Sequence, residues 1–417
     1  MLSGVISSFK KFLELKSNKP LKIIAYPNTD GIVSSAILAK TFREINKKFV
    51  IGFSKRLGQE NFNKDQQEGT ILIDSKSDIK NINENNFIIQ GNEKNSASEI
   101  SYLLSREMIK EDIGLSDLAI IGLIAEQRDV NASEISKSII NNSKNLEIKK
   151  GLTIYPATRP LKRSLQLSTS PYIPGVTGNE PGVMELLKET RIDGEKSLLD
   201  LDESEMSRLA LGIRLRQKGR ETIQKNTGEI YILKIFNKKE DVREIATILN
   251  SCSKQGFPDI ALSYCLGDKN SKSIVLDIYT RHTQEIVSGL KIAENLEKID
   301  NGGMIILNAR DQIKDIIVGT ICSMLSTSPK FKEGTILIGM AYNQDKLKVS
   351  ARIVGRTGKN LKEFLEKTVI NFKNENPKID VEVGGHEFAA GCILDKSKEK
   401  EFIEALKKSC EIEFMKV

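Results

Sequence analysis

Three features of the chain predict an α/β fold built from two α/β domains. Its 417 residues exceed the roughly 100 to 200 of a typical domain. Short apolar runs alternate with helically spaced segments, the rhythm of β-α-β units around a mostly parallel sheet. Pro156, Pro160, Pro171, Pro174 and Pro181, half of the 10 prolines, fall in one short stretch that separates two such regions. A composition of 39% hydrophobic and 29% charged residues is ordinary for a folded protein and excludes wholesale disorder.

The opening MLSGVISSFKKFLELK spaces Leu2, Val5, Ile6, Phe9, Phe12 and Leu13 at helical intervals. Lys10 and Lys11 interrupt it, so it reads as an amphipathic helix and not as a signal peptide. LKIIAY (21–26), VIGFS (50–54), TILIDS (70–75) and NFIIQG (86–91) are buried-strand candidates, with helical spacing in IVSSAILAKTFREI and in SEISYLLSREMIKE (98–111). LAIIGLIAEQRD (118–129) is a further buried run, and residues 1–150 form the first domain. Residues 151–230 read as an extended Pro-rich connector ending in a basic helix over 205–223, because proline at that density forbids long helices and central strands. The second domain, 231–417, starts at EIYILKIF (229–236). GGMIILNA (302–309), TILIGMAY (335–342), KLKVSARIV (346–354) and IDVEVGG (379–385) are its strands, and 356–373 and 398–410 are helices.

Composition narrows the function classes. No apolar run approaches the roughly 18 residues of a membrane span. The net charge of +7, from 63 basic and 56 acidic residues, is compatible with a polyanionic partner. Five cysteines without a CxxC pair, and only His282 and His386 as histidines, rule out a zinc ribbon and fit reduced cytoplasmic thiols. His282 has no neighbouring ligand and reads as a surface or loop histidine.

Two constellations could carry chemistry. Asn28-Thr29-Asp30-Gly31 follows one apolar strand, Asp74 ends a second, and Glu126 ends a third apolar run. Three acids at strand ends could converge on an oxygen-ligand metal, whereas Asp30 alone reads more readily as a helix cap. Gly384-Gly385-His386-Glu387-Phe388-Ala389-Ala390-Gly391 offers glycine amides beside a histidine, a phosphate nest or simply a tight turn. The helix entrance at Lys359 and Asn360 is a second anion candidate. Arg159, Lys162 and Arg163, and Arg208, Arg214, Arg216, Lys218 and Arg220, form basic clusters that a solvated helix face explains more readily than nucleic acid does.

Together, NTDGIVSSAIL, GGHEFAAG, TRPLKRSLQLSTSPYIPGVTG (158–178) and ATILNSCSKQGFPDIALSYCLGD (246–268) resemble the DHH/DHHA1 phosphoesterase superfamily, archaeal RecJ-like branch, over nearly the whole chain. The resemblance implies a DHH-type domain and a DHHA1-type domain facing across a cleft. Active members resemble one another in His-x-Asp-x-Asp-Gly; here those positions are Tyr26, Asn28 and Asp30. Asp74 matches the second motif, Gln90, Gly91 and Asn92 stand where Asp-His-His would fall, and Glu126 replaces an Asp. A two-metal hydrolase needs several anionic or imidazole ligands. Each charge lost near 4 Å removes about 4 kcal/mol of attraction at an effective dielectric near 20. The expectation is no resident cofactor, with at most one weak Mn or Mg at Asp30, Asp74 and Glu126. Gly384, Gly385 and His386 match the motif that contacts substrate phosphate in active relatives, and Arg352 resembles a position near the same groove.

The resemblance is closest to the family's catalytically inactive DNA-binding branch, counterpart of the RecJ-descended subunit in the eukaryotic CMG replicative helicase. It implies a cytoplasmic, nucleoid-associated replication factor that binds the GINS complex, the MCM helicase and single-stranded DNA, and no membrane. A manganese-dependent 5′–3′ single-strand exonuclease or small phosphodiesterase is the competing enzyme reading, and an adaptor without DNA contact is the third.

Overall fold

The computed structural model describes residues 2–16, 19–55, 69–74, 86–169, 171–217, 227–355, 358–377 and 379–414. Lys218 and Arg220 of the expected basic helix, and Arg356 and Thr357 before Lys359, lie outside them. The chain divides into two compact units. One takes the residues up to Gly151 together with Glu229–His282, and the other takes Leu152–Gly228 and the residues from Thr283 onward.

The first unit is organised on four strands, β1 (Leu21–Ala25), β2 (Phe49–Phe53), β3 (Gly69–Ile73) and β4 (Asn86–Ile89), in the order β2-β1-β3-β4 and parallel throughout. Continuous apolar runs are what a sheet buried on both faces requires. Leu21, Ile23, Ile71, Ile73, Phe87 and Ile89 line one face. Against it pack Phe9 and Phe12 of α1 (Leu2–Leu15), Leu38 and Phe42 of α2 (Thr29–Glu44), and Ile100 and Leu104 of α3 (Ala97–Arg106). Phe9 and Phe87 meet at 4.7 Å between ring centroids. Lys10 on the outer side of α1 pairs with Glu107 at 2.7 Å, so the opening helix is amphipathic as its spacing predicts.

The opposite side of α2 (Ile32, Val33, Ile37) packs on α4 (Leu115–Ala125) and on Ile139 of α5 (Glu134–Asn142). The same core takes in Tyr231 and Leu233, which lie on the middle strand of a small sheet of β5 (Leu146–Leu152), β6 (Thr227–Ile235) and β7 (Lys238–Asp241), and α9 (Val242–Lys254) and α10 (Pro258–Cys265). EIYILKIF is therefore a strand, as expected, but 229–282 returns to the first unit instead of opening the second domain. The cause is burial: β6, α9 and α10 hide their apolar faces against α2 and α4. Helix α11 (Lys269–Asn295) carries the chain onward. On it His282 is 3% exposed, its Nδ1 3.2 Å from Gln255 Nε2, so the expected surface histidine is a core residue.

In the second unit the expected extended connector is largely helical: α6 (Leu161–Leu167), α7 (Glu180–Thr190) and α8 (Glu203–Arg216). Proline permits this because Pro160 is the N-cap of α6 and Pro181 lies in the first turn of α7, where no amide donor is needed. Arg208 donates to Thr190 O at 2.7 Å and Arg216 pairs with Glu189 at 2.8 Å. That half of the basic cluster holds α8 to α7.

The remainder forms a six-stranded sheet, β12-β13-β11-β10-β9-β8. Its strands are β8 (Lys298–Asp300), β9 (Met304–Arg310), β10 (Ile336–Asn343), β11 (Lys346–Ile353), β12 (Glu382–His386) and β13 (Ala389–Asp395). Only β9 and β10 run parallel. Leu347, Val349, Ala351 and Cys392 face the apolar sides of α13 (Leu361–Glu375) and α14 (Glu399–Phe414). Leu307, Leu337 and Ala341 face α11 and α12 (Asp315–Ser326) on the other side. All five cysteines are free. Among the described residues no helix is long and apolar enough to cross a membrane.

Candidate functional site

The carboxyl ends of β1, β3 and β4, adjacent in the first sheet, carry Asn28, Asp74 and Gln90. Such ends border the crevice where parallel sheets bind ligands. Asn28 caps α2, its Oδ1 accepting from Gly31 N at 2.8 Å. A Cβ on Gly31 would lie 2.1 Å from Tyr26 O, so this turn admits only glycine there. Asn28 Nδ2 donates to Asp74 Oδ2 at 2.5 Å, and Gln90 Nε2 donates to Asp74 Oδ1 at 3.4 Å. Two neutral amides thus occupy both oxygens of a carboxylate that is 9% exposed.

Asp30 is 2% exposed and also fully engaged. Its Oδ2 accepts from Ala97 N at 2.7 Å and its Oδ1 from Ser98 N at 2.9 Å. These are the first amides of α3, where the helix dipole favours an anion. Asp30 is a cap, as its position suggests, but of a distant helix and not of its own. Burial pushes its pKa up to about 7, against the lowering effect of the Ser98 hydrogen bonds, with Asp74 and Glu126 raising it further.

Glu126 lies at the exposed C-cap of α4. LAIIGLIAEQRD is a helix, not a strand, and an evenly apolar run cannot be assigned by periodicity. Gln90-Gly91-Asn92 opens a tight turn in which Asn92 Oδ1 accepts from Lys94 N at 2.9 Å and Asn95 N at 3.0 Å. Arg128, which no motif singles out, donates to Asn92 O at 2.9 Å and to Glu93 O. Among the described residues no group of three or more His, Cys, Asp or Glu could hold a metal ion, so Asp30, Asp74 and Glu126 form no such group.

The second constellation lies on the six-stranded sheet. Gly384, Gly385 and His386 are all exposed and belong to β12, the edge strand, instead of following a strand. Gly385 has φ +121°, and a Cβ there would meet Ala389 O at 2.3 Å, so only glycine closes this hairpin. His386 Nδ1 accepts from Phe388 N at 3.3 Å, which fixes the ring at the turn.

Cross-strand register pairs His386 with Ala389, and Ala389 with Arg352. Directly opposed residues share a face, so His386 and Arg352 stand on one side, two strand spacings or about 10 Å apart. Gly384, Gly391 and Ser350 form the next row on that face. Arg352 Nε donates to Ser323 Oγ on α12 at 2.7 Å, and an NH group bonds Ala351 O at 2.7 Å. No carboxylate pairs with it among the described residues. Burial lowers its pKa, with the Cys322 thiol opposing. A Cβ on Gly319 of α12 would lie 3.2 Å from the guanidinium, so glycine makes room for it.

The α13 entrance is not an open anion site, because Asn360 Oδ1 already accepts from Lys362 N at 3.1 Å and Glu363 N at 3.2 Å. Leu361 N donates to Glu387 O at 2.8 Å, which joins this entrance, with Lys359, to the His386 turn. The register therefore brings Gly384, His386 and Arg352 to one face, beside Gly385 of the same turn, whereas Lys359 Nζ is directed to Gly334 O at 3.5 Å and not to them. Ser323 and Gly319 were missed, since only register and helix packing reveal them.

The profile of the archaeal Cdc45 family matches residues 10–294. The chain belongs to the archaeal Cdc45 family. Its fold is shared with solved CDC45 and RecJ structures. An uncharacterized protein of Methanocaldococcus jannaschii is 24% identical over 92% of this chain and 91% of its own length. The crystal structure of CDC45 from Entamoeba histolytica superposes with a TM-score of 0.67 at 11% identity, over 98% of this chain and 99% of that one. RecJ from Thermus thermophilus, crystallised with Mn2+, gives 0.57 at 15% identity, over 98% of this chain and 55% of that one. The two superpositions show a shared fold, in line with the two α/β domains the sequence predicts.

Proposed function

We propose that the chain is a non-catalytic replication-fork subunit that binds the GINS complex, supports the MCM helicase and contacts single-stranded DNA through the exposed glycine-glycine-histidine turn of its second sheet. One observation carries the reading: the carboxylates at the sheet end are consumed internally, Asp74 by the amides of Asn28 and Gln90, Asp30 by the amides of α3. A hydrolase would need those oxygens for cations. Arg352, by contrast, has no carboxylate partner among the described residues and lies beside a bare glycine floor. Family membership and the absence of a long apolar helix among the described residues support a nucleoid-associated, non-membrane role.

End-labelled single strands incubated with Mn2+ should remain intact; shortening that an Asp30→Ala/Asp74→Ala variant abolishes would establish the exonuclease instead. Chain mixed with GINS and MCM from the same source should co-elute with them on size exclusion, and separate elution from both would remove the fork-subunit role. The logarithm of the oligothymidylate affinity should fall linearly with log salt, since aromatics are only 6% and stacking is scarce. His386→Ala should weaken binding about tenfold with melting unchanged; an unaltered isotherm excludes the residue. Gly319→Ala should act through Arg352, weakening the same binding about three- to tenfold at a stability cost of about 1 kcal/mol or less. Equal affinity of variant and parent would show that the guanidinium does not reach the strand.

A further inference from the structure

We infer that β2, the outer strand of the first sheet, is a docking edge for an extended apolar segment of a partner protein that carries acidic residues at both ends and joins the sheet as an added strand. This edge is independent of the single-strand reading. The order β2-β1-β3-β4 leaves β2 with one neighbour. Lys48 O accepts from Leu21 N at 2.9 Å, and Ser54 N donates to Ala25 O at 3.0 Å. Successive residues of a strand aim their main-chain groups to opposite sides. The even-numbered residues therefore serve β1, and the amides and carbonyls of Phe49, Ile51 and Phe53 point outward. Among the described residues nothing pairs with them there. Edge strands are usually blunted by an internal charge, a proline or a bulge. FVIGF has no charge and no proline, and its register against β1 runs unbroken from Phe49 to Phe53.

Side chains and charge specify the occupant. Val50 is 60% exposed and Gly52 is exposed on the same face, so an added strand meets an apolar rim with no bulky barrier. Lys48 and Lys55 bracket the strand, both exposed and without a carboxylate partner among the described residues. Lys22, opposite Val50 on β1, is a further lysine without one. Seven residues separate Lys48 from Lys55, roughly 23 Å along an extended chain, which sets the spacing of the partner's acidic ends. A second copy of this chain fits badly. Antiparallel pairing of two β2 strands about Ile51 would set Lys48 of each copy beside Ser54 and Lys55 of the other, and like charges at such positions oppose pairing. Nucleic acid would meet the lysines but leave the outward amides, the outward carbonyls and Val50 unused. An acid-ended extended peptide uses all of them, main chain for affinity and side chains for choice of partner.

A fluorescein-labelled peptide with a Val-Thr-Val-Thr-Val centre and two aspartates at each end tests the edge by anisotropy against the full chain. It should bind saturably, and more weakly as salt rises. The same peptide N-methylated at alternate residues, or ended in lysines, should bind at least about tenfold more weakly. Lys48→Glu/Lys55→Glu should weaken the acidic peptide about tenfold and strengthen the lysine-ended one. Ile51→Pro removes an outward amide that β1 does not use, a change an edge strand tolerates, and should weaken the acidic peptide by a similar factor. If that variant fails to fold, the charge reversal and the N-methylated peptide decide the matter. Failure of the acidic peptide to saturate at millimolar concentration, or binding indifferent to both N-methylation and charge reversal, would overturn the docking edge. A parent that sediments as a dimer and is dispersed by Ile51→Pro would give the edge to a second copy instead. Displacement of the peptide by oligothymidylate would give the lysines to nucleic acid.

Discussion

An Asp30→Asn variant should differ from the parent in a pH-dependent way, its stability relative to the parent rising by about 3 kcal/mol between pH 4 and pH 7. In the unfolded chain Asp30 ionises near 3.8, whereas in the folded protein burial raises its pKa to about 7. Over that interval the folded state holds a proton that the unfolded state has released. The contribution of Asp30 is therefore full below about pH 4 and falls as pH rises, at about 1.36 kcal/mol per unit, until the folded carboxyl ionises. The asparagine does not titrate. It also turns an NH2 toward one of the two α3 amides that Asp30 accepts, leaving a buried donor unpaired for roughly 1–3 kcal/mol at every pH. Urea titrations of both proteins at four pH values separate the constant offset from the slope. A difference that stays level from pH 4 to pH 7 would mean that the amides of Ala97 and Ser98 outweigh burial, and that Asp30 is an ordinary ionised cap.

The parts of the fold that could be read from sequence are those where one local signal suffices. LKIIAY, TILIDS and NFIIQG are strands because a parallel sheet covered on both faces leaves no polar position in its middle, and each reading holds within a residue or two of β1, β3 and β4. Where two structures share one pattern the reading failed. The run ending at Glu126 is equally apolar as a buried helix, and it is α4. The prolines of 151–230 mark helix starts as well as extended chain. The return of 229–282 to the first core depends on which apolar face is left for β6, α9 and α10 to cover, and no local pattern contains that.

The site divides in the same way. Asn28, Asp74 and Gln90 stand at strand ends, where sequence order alone places them. That Asn28 and Gln90 spend their amides on Asp74, and that Asp30 caps α3, are facts of the tertiary arrangement. His386 and Arg352 were each visible as members of a family pattern. Their common face follows from the register through Ala389, and the Gly319 gap under the guanidinium follows from how α12 crosses β11. Arg128 carried no signal beyond its nearness to Glu126, because its donors go to main-chain oxygens that any sequence would supply.

The consequence for metal binding is sharpest at Asn28. Asn28→Asp restores the carboxylate of the active pattern and sets it against Asp74, where the amide now donates at 2.5 Å. Two like charges at about 4 Å cost about 4 kcal/mol at an effective dielectric near 20, less whatever a shared proton relieves. The cap on α2 is not the cause of this loss, since an aspartate accepts from Gly31 N as well as an asparagine does. The variant should melt well below the parent at pH 8 and closer to it at pH 5, where one proton can bridge the pair. Millimolar Mn2+ should then raise the melting point of the variant and leave the parent unmoved, because paired carboxylates are a ligand set for a hard cation and an amide-neutralised one is not. Neither form should cleave single strands, since Gln90, Gly91 and Asn92 supply no imidazole for a second cation. A parent stabilised by Mn2+ as strongly as the variant would show that Asp74 exchanges its amides for metal, and the case for an internally neutralised site would fall with it.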